Sequence, residues 1–385
     1  MDDVAVRLLE LIRSGQAVSR AQLVQESGFA RGTVSSHLDR LIDVGLVASD
    51  AFVRDTGGRP AERLIINPNR GILLGADIGG SHTRVGIMDL GGEILQIRDH
   101  DLDVNQGPEA VLGLVYDEFE ALLAAHSRAA DDVMGIAIGI PGPVEHTTGT
   151  VVQPPTMSGW DGFVVPRFSR TRFAAPVAVD KDANLLALGE YRALEGAVRD
   201  VLVLKVGMGI GAGIIANGQI VRGGQGAAGD LGHLPRRGGA PCRCGQEGCA
   251  EATAGGWAIA RALREAGVAD VHTSQAVIDL ADQKEPMVLD LLRSAGDRLG
   301  EILADVVGFL NPSRVIIAGN LASSSEVLLA GIRRRVYEDS HPLATKSLVI
   351  STAQLGNIGG LAGAAQLAGD VAFGSGAVQA LASAS

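Results

Sequence analysis

The sequence predicts an α/β protein with a winged helix-turn-helix at its N-terminus, followed by a duplicated two-lobed body. Three observations lead there. The first 66 residues alternate short amphipathic helices with glycine stops and close on two strands around a glycine-rich tip. Two hairpins of one design, ILLGADIGGSHTRVGIMD and DVLVLKVGMGIGAGIIA, then recur more than a hundred residues apart. Composition agrees, since 52 glycines and only 3% aromatics suit tight turns and backbone lying close to a ligand. At 385 residues the chain exceeds one ordinary core, and its 46% apolar content is ample for several.

The head is expected over residues 1–66. VAVRLLELIRSG carries apolar residues at 4, 8, 9, 11 and 12, a helical pattern that Gly15 stops. In SRAQLVQESG, Ser19 is suited to an N-cap and Gly28 to a stop. FARGTVSSHLDRLIDVGLV gives a third helix with Val34, Leu38, Leu41 and Ile42 facing inward and Gly45 ending it. GLVASDAFVRDTGGRPAERLIINP then predicts strand, tip, strand, which is a wing. The third helix offers Arg31, Thr33, Ser35, Ser36, His37 and Arg40 to a major groove, with Thr33, Ser36 and Arg40 on one face. The wing tip holds Gly57, Gly58 and Arg59, a shape suited to placing an arginine in a minor groove. A three-helix module for protein contacts is the bland alternative. Helix, turn, helix and wing in succession favour DNA.

Charge is uneven along the chain. The net charge is −11, yet over residues 1–66 eight arginines stand against nine acids, so nearly all the excess lies in the body. That balance excludes wholesale coating of nucleic acid and leaves a neutral head free to gather its arginines on one face. No apolar run reaches the length of a membrane span, and the acidic start MDD is not a signal peptide. A cytoplasmic protein with no membrane partner is expected.

The body is expected over residues 71–370. Between the two hairpins lie the helix PEAVLGLVYDEFEALLAAHS and the buried strand VMGIAIGIPGPV. A proline-rich loop with Trp160 follows, then the strand PVAVDKDANLLALGE running into a helix. Downstream the chain is mainly helical and then gives SRVIIAG, SSSEVLLAGIRRRVYED, SLVIST and GGLAGAAQLAG as strand, helix, strand and helix. Residues 371–385 show no clear period and are expected to form a disordered tail. The hairpin turns could bring backbone N–H groups to phosphate oxygens, through Asp77, Gly79, Gly80 and Ser81 in the first and Gly207, Gly209 and Gly211 in the second.

All three cysteines fall in CRCGQEGC. Clustered thiols without a signal peptide point to a metal rather than to disulfides. Cys242, Cys244 and Cys249 supply three of the four ligands a structural zinc needs, and His233 or Glu247 would supply the last. Three spare thiols in a loop are the alternative.

The segments ADIGGSHTRVGI, GIPGPV, VDKDANLLALGE, GMGIGAGII, GAAGDLGH and CRCGQEGCAE run in one order over residues 71–370. In them the body resembles the ROK family of repressors, open reading frames and sugar kinases, with an actin-like ATPase fold. With the winged head attached, the whole chain is similar to the transcriptional regulators of that family.

The resemblance assigns His233 as the fourth zinc ligand, within a zinc-binding segment 233–251 of a ROK sugar kinase-like body. It implies a hexose cleft lined by Lys181, Asp182, Asp230, His233 and Glu251. Carboxylates and an imidazole suit a polyol, because a missing hydroxyl leaves a buried polar group unpaired. His233 would bind zinc through one ring nitrogen and a hydroxyl through the other. In the family's kinases the position of Asp182 is the general base on the sugar. A helix N-cap is its alternative role. Departures from the kinase pattern are Ser81 for Thr, His82 for Lys, Met208 for Thr, Lys181 for Asn and Asp230 for Glu. Lys181 beside Asp182 is expected to favour the charged carboxylate. The expectation is a sugar-responsive regulator of carbohydrate genes, with a palindromic DNA operator and a homodimer or homotetramer to read it. The rival is a sugar kinase with an attached DNA-binding head, for which ATP and Mg2+ would be needed.

Overall fold

The computed structural model describes residues 3–53, 61–196, 198–235, 239–323 and 325–374. The head contains α1 (Asp3–Arg13), α2 (Arg20–Ser27) and α3 (Arg31–Asp43), then an antiparallel pair, β1 (Val47–Val53) and β2 (Ala61–Ile66). The Ser19 hydroxyl caps α2 by accepting the Gln22 N–H at 3.3 Å, and Gly28 ends it at φ 71°. Leu8, Leu9, Leu11 and Ile12 of α1 meet Leu23, Val34, Leu38 and Leu41, all buried. The wing tip, including Arg59, lies outside the described residues.

The body contains two five-stranded sheets. The first is built from β3 (Ile72–Ile78), β4 (Thr83–Asp89), β5 (Ile94–His100), β6 (Val133–Ile140) and, after a small hairpin of β7 (Val144–Glu145) and β8 (Thr150–Val151), β9 (Val177–Lys181). The second is built from β10 (Val201–Val206), β11 (Ile210–Ala216), β12 (Gln219–Ile220), β13 (Arg314–Ala318) and β14 (Val349–Thr352). Their orders, β5-β4-β3-β6-β9 and β12-β11-β10-β13-β14, are the same arrangement twice. In each, the leading strand (β3 or β10) pairs antiparallel with its hairpin partner and parallel with a strand reached by crossover. The crossover segments put helices on the faces, so β3, β6 and β10 are almost wholly buried.

The first lobe adds α4 (Pro108–Ala125) and α5 (Val165–Ser169). The proline-rich stretch is therefore no plain loop: it carries α5 and the small hairpin, with Trp160 buried and its indole N–H on the Val104 carbonyl at 2.9 Å. A joint between the lobes is made by α6 (Asp182–Ala193). The second lobe adds α7 (Glu251–Ala254), α8 (Gly256–Glu265), α9 (Ser274–Asp282), α10 (Pro286–Leu310), α11 (Asn320–Ser323), α12 (Glu326–Asp339) and α13 (Pro342–Thr345). Finally α14 (Gly359–Ala372) returns to the first lobe, lying on β3 and β6, while α6 lies on β10 and β11.

The α6–α14 contact demands glycine. A Cβ on Gly363 would fall 1.7 Å from the Leu185 carbonyl oxygen, and one on Gly189 would fall 2.1 Å from that of Gly359. The head docks on the other end of α14. Arg13 donates to the Gln366 carbonyl at 2.9 Å, pairs with Asp370 and stacks over Phe373. One continuous apolar cluster thus joins the head to α6 and α14. The expected tail boundary at 371 gives way to this packing: α14 runs on to Ala372, and Phe373 is buried against Arg13. Among the described residues no helix is long and apolar enough to cross a membrane.

Candidate ligand cleft and metal centre

The candidate ligand residues gather around the first residues of β11. The Ile210 N–H donates to Glu251 Oε2 at 2.9 Å, and the Ala212 N–H donates to the Gly229 carbonyl at 2.8 Å. A Cβ on Gly211 would touch Ala183 at the start of α6, and one on Gly232 would strike the Ile210 carbonyl. Asp182, the 229–233 turn and Glu251 therefore converge on one strand edge.

Asp182 is the first residue of α6, and Lys181, in extended conformation, takes the N-cap place. The N-cap alternative for Asp182 is thereby corrected. Its Oδ1 accepts the Ala183 N–H at 2.6 Å, and its carboxylate sits in the first helical turn, where the helix dipole favours negative charge. Asp180, one strand residue earlier, is buried and takes Arg222 and Asn184, each at 2.6 Å.

The cation on Asp182 is not the neighbouring Lys181. Lys205 of β10 places its Nζ 2.6 Å from Asp182 Oδ2. Lys181 instead turns its ammonium to the Ala228 carbonyl, because β9 leads it toward the 228–230 turn. Burial pulls the Lys181 pKa down, partly offset by Asp230, Asp180 and Asp182. Burial also works against the charge of Lys205, but the attraction of Asp182 and Asp77 outweighs it and holds that pKa above the ordinary lysine value.

Glu251 is buried, and both its oxygens are engaged. Besides Ile210, it accepts Trp257 Nε1 at 3.2 Å and Arg243 at 3.1 Å. Arg243 and Arg261 lie over the Trp257 ring at 4.6 and 4.9 Å from its centroid. Arg243 stands between Cys242 and Cys244, so the cysteine loop itself holds Glu251. Asp230 is exposed ahead of the 231–233 turn.

The metal group assembles as expected. Ligand atoms of His233, Cys242, Cys244 and Cys249 all lie within 4.8 Å of one another. Cys242 Sγ is 3.6 Å from His233 Nδ1, and Cys244 Sγ is 3.7 Å from Cys249 Sγ. Donors at the corners of a tetrahedron with metal–sulfur bonds of about 2.3 Å stand about 3.8 Å apart, so the thiol spacing fits a four-coordinate ion. All three cysteines are free thiols. Burial pushes the Cys249 thiol up to about 12, and Cys244 and Cys242 push it the same way. A cation that displaces those protons relieves three crowded thiols. His233 Nδ1 is the ring nitrogen that faces the cysteines.

Each of the two glycine turns is closed by a backbone hydrogen bond of its own, Gly79 to His82 and Gly207 to Gly209. The Gly79 N–H bonds the His82 carbonyl at 2.8 Å, and the His82 ring packs on Gly79, 2.9 Å from where a Cβ would stand. Burial, then Lys205, lowers the His82 pKa and keeps it neutral. In the second turn the carbonyls of Gly207 and Met208 accept N–H groups of Gly256 and Trp257 at the start of α8. A Cβ on Gly209 would stand 2.8 Å from Glu251 Oε2. Gly209 and Gly211 therefore make room for Glu251 and α6, and Gly211 belongs to β11. Gly80 is open, with nothing near an added Cβ.

On the head, Arg31, Ser36 and Arg40 are exposed, and Thr33 is half-buried. Ser35 is half-buried and its hydroxyl accepts from the exposed Arg20 at 3.3 Å, while Arg20 pairs with Asp39 at 2.6 Å. His37 Nδ1 lies 2.9 Å from the Thr33 carbonyl.

Sequence reasoning missed Lys205, Arg243 and Trp257. Lys205 left a signal, as the one charge inside the apolar strand VLVLKV immediately before a glycine turn.

Comparison with known proteins settles the lineage. The ROK family model matches residues 73–371. The chain belongs to the ROK family. It is 30% identical over 345 residues to a putative xylose repressor of Caldicellulosiruptor sp. strain Rt8B.4, covering 86% of each. It is also 30% identical over 307 residues to a glucokinase of Halalkalibacterium halodurans, covering 75% of this chain and 92% of that one. Among solved structures, a ROK family transcriptional regulator homologous to the E. coli MLC protein matches with TM-score 0.80 at 26% identity, over 99% of this chain and 98% of that one. A ROK glucokinase of Streptomyces griseus, solved with glucose and AMPPNP, matches with TM-score 0.66 at 29% identity, over 77% of this chain and 99% of that one.

Proposed function

We propose that this ROK protein is a sugar-responsive transcriptional repressor. One observation carries the reading: the regulator structure aligns with 99% of the chain, head included, whereas the two glucokinases above cover 77% and 75% of it and leave the head unaccounted for. Arg31, Thr33, Ser36, His37 and Arg40 would meet the major groove, with Arg59 from the wing and a smaller part for Ser35. Lys181, Asp182, Asp230 and His233 would hold a sugar, and Glu251 would fix the strand edge beneath it. A structural zinc on His233, Cys242, Cys244 and Cys249 would set the histidine ring for a hydroxyl. Two-fold pairing of heads would read a palindromic operator. A sugar shifts DNA affinity only by preferring one of two states, and the α6–α14 joint between cleft and head is where such states would differ.

The kinase reading keeps one argument, the shared cleft of the glucokinases. It is opposed by the pairing of Asp182 with Lys205. The test uses duplex DNA selected by the full-length protein from a random pool. Anisotropy would show release by one sugar of a pentose and hexose panel, xylose first, without ADP formation in a coupled assay. ADP turnover abolished by Asp182→Asn would reverse the conclusion.

A further inference from the structure

The two sheets place opposite charges at matching positions. Asp77 is next to last in β3, and Lys205 is next to last in β10. Each stands on the leading strand of its sheet, one residue short of the glycine turn. Asp77 registers with Gly139 of the parallel neighbour β6, and Lys205 with Ala318 of the parallel neighbour β13. The duplication therefore makes the two side chains mates: burial pushes the Asp77 carboxyl up and the charge of Lys205 offsets part of that, while Asp77 in turn helps hold Lys205 charged. Asp77 is only 8% exposed, and its Oδ1 has no hydrogen-bond partner among the described residues. Its other oxygen lies against the Gly360 backbone at the start of α14.

Phosphoryl transfer asks two things of such carboxylates. A divalent ion must neutralise the phosphates, and a base must be free to take the hydroxyl proton. Here Lys205 stands on Asp182 Oδ2 at 2.6 Å, and the Ala183 N–H occupies Oδ1 at 2.6 Å. A metal ion entering this space would meet a fixed ammonium in a poorly hydrated site, where like charges repel strongly.

We propose that Lys205 is the resident cation of the cleft, serving Asp182 and Asp77 in place of a divalent ion. The cleft is thereby closed to a magnesium-bound nucleotide, while its hydrogen-bonding groups remain for a sugar. The proposal rests on the sugar-sensor reading above and says how phosphoryl transfer is shut off.

Manganese binding to the full-length protein, read by electron paramagnetic resonance of the free ion, tests it. The wild type should show no manganese uptake that depends on Asp77. Lys205→Thr should gain one saturable site per chain, and adding Asp77→Asn should remove it. Lys205→Arg, which keeps the cation, should behave as wild type. A folded Lys205→Thr protein that gains no site overturns the proposal, as does a wild type whose manganese uptake is lost in Asp77→Asn. Should Lys205→Thr fail to fold, titration of the wild type with manganese–AMPPNP decides: Asp77-dependent binding overturns the proposal, and none supports it. Sugar-driven operator release is measured separately, so failure of the regulator reading and failure of this one are told apart.

Discussion

The two lobes share one strand order and differ in what fills it. The first lobe packs rings: Tyr116, Phe119, Phe168 and Phe173 stand 5.4–6.4 Å apart, with Trp160 and Phe163 beside them. The second lobe's core is aliphatic, drawn from β10, β13 and the pair α10 and α12. Chemistry divides the same way. The first lobe brings Asp77, and Asp182 follows its last strand, whereas Lys205, Asp230, Glu251 and the metal group all belong to the second. Duplication thus supplied a scaffold indifferent to its contents, and the segment after β12 made the second lobe the polar one. One tryptophan marks each lobe, Trp160 in the aromatic core and Trp257 between two arginines beside Glu251.

The largest expected effect breaks the polar lobe alone. Cys244→Ser should abolish bound zinc and sugar-driven release, because the cysteine loop carries both His233's partners and Arg243. Trp257 emission should change, while Trp160 emission, isolated in a Trp257→Phe background, should stay. Basal operator binding should persist. Sugar response surviving in zinc-free protein would remove the link between metal and cleft.

A smaller effect tests the joint between the lobes. Gly363→Ala places a methyl group 1.7 Å from the Leu185 carbonyl oxygen, a contact neither backbone can avoid without moving. Overpacking of this kind costs about 1–3 kcal/mol, to be read as a lowered urea midpoint. An unchanged midpoint would mean that α6 and α14 are not locked as described.

Much of this was legible in sequence because its causes are local. Ser19 and Gly28 bracket α2 through a hydroxyl and a left-handed turn, both within a few residues of the helix they bound. The cysteine spacing needed only loop geometry to suggest a metal. The Lys205–Asp182 pair was not legible because it depends on how β10 and α6 dock, and the Arg243–Glu251 pair was not because it depends on how the cysteine loop folds back on α7. Lys181 shows the limit well. Adjacency to Asp182 suggested a direct partner, but alternation along β9 sends the ammonium to Ala228, and Asp182 acts on it only through its charge, behind Asp230 and Asp180. The end of α14 was misplaced for a related reason, since Phe373 is ordered by Arg13 from the far end of the chain.

That Arg13 contact offers the mildest and most discriminating test of how the lobes speak to the head. The first lobe owns α14, whose start lies against Asp77 and whose end carries the head. The Arg13–Asp370 ion pair is half open to water and adds little by itself. The hydrogen bond to Gln366 and the stacking on Phe373 are better sheltered, and together they are worth about 1–2 kcal/mol. Arg13→Ala should leave sugar affinity and zinc content unchanged, because no cleft residue touches it. It should instead blunt release, so that saturating sugar lowers operator affinity less than in the wild type. Undiminished release would exclude Arg13 as the route and leave the apolar cluster and the Arg70–Val44 contact beside β3, which the double variant Arg13→Ala/Arg70→Ala separates: loss of release in it assigns the signal to Arg70.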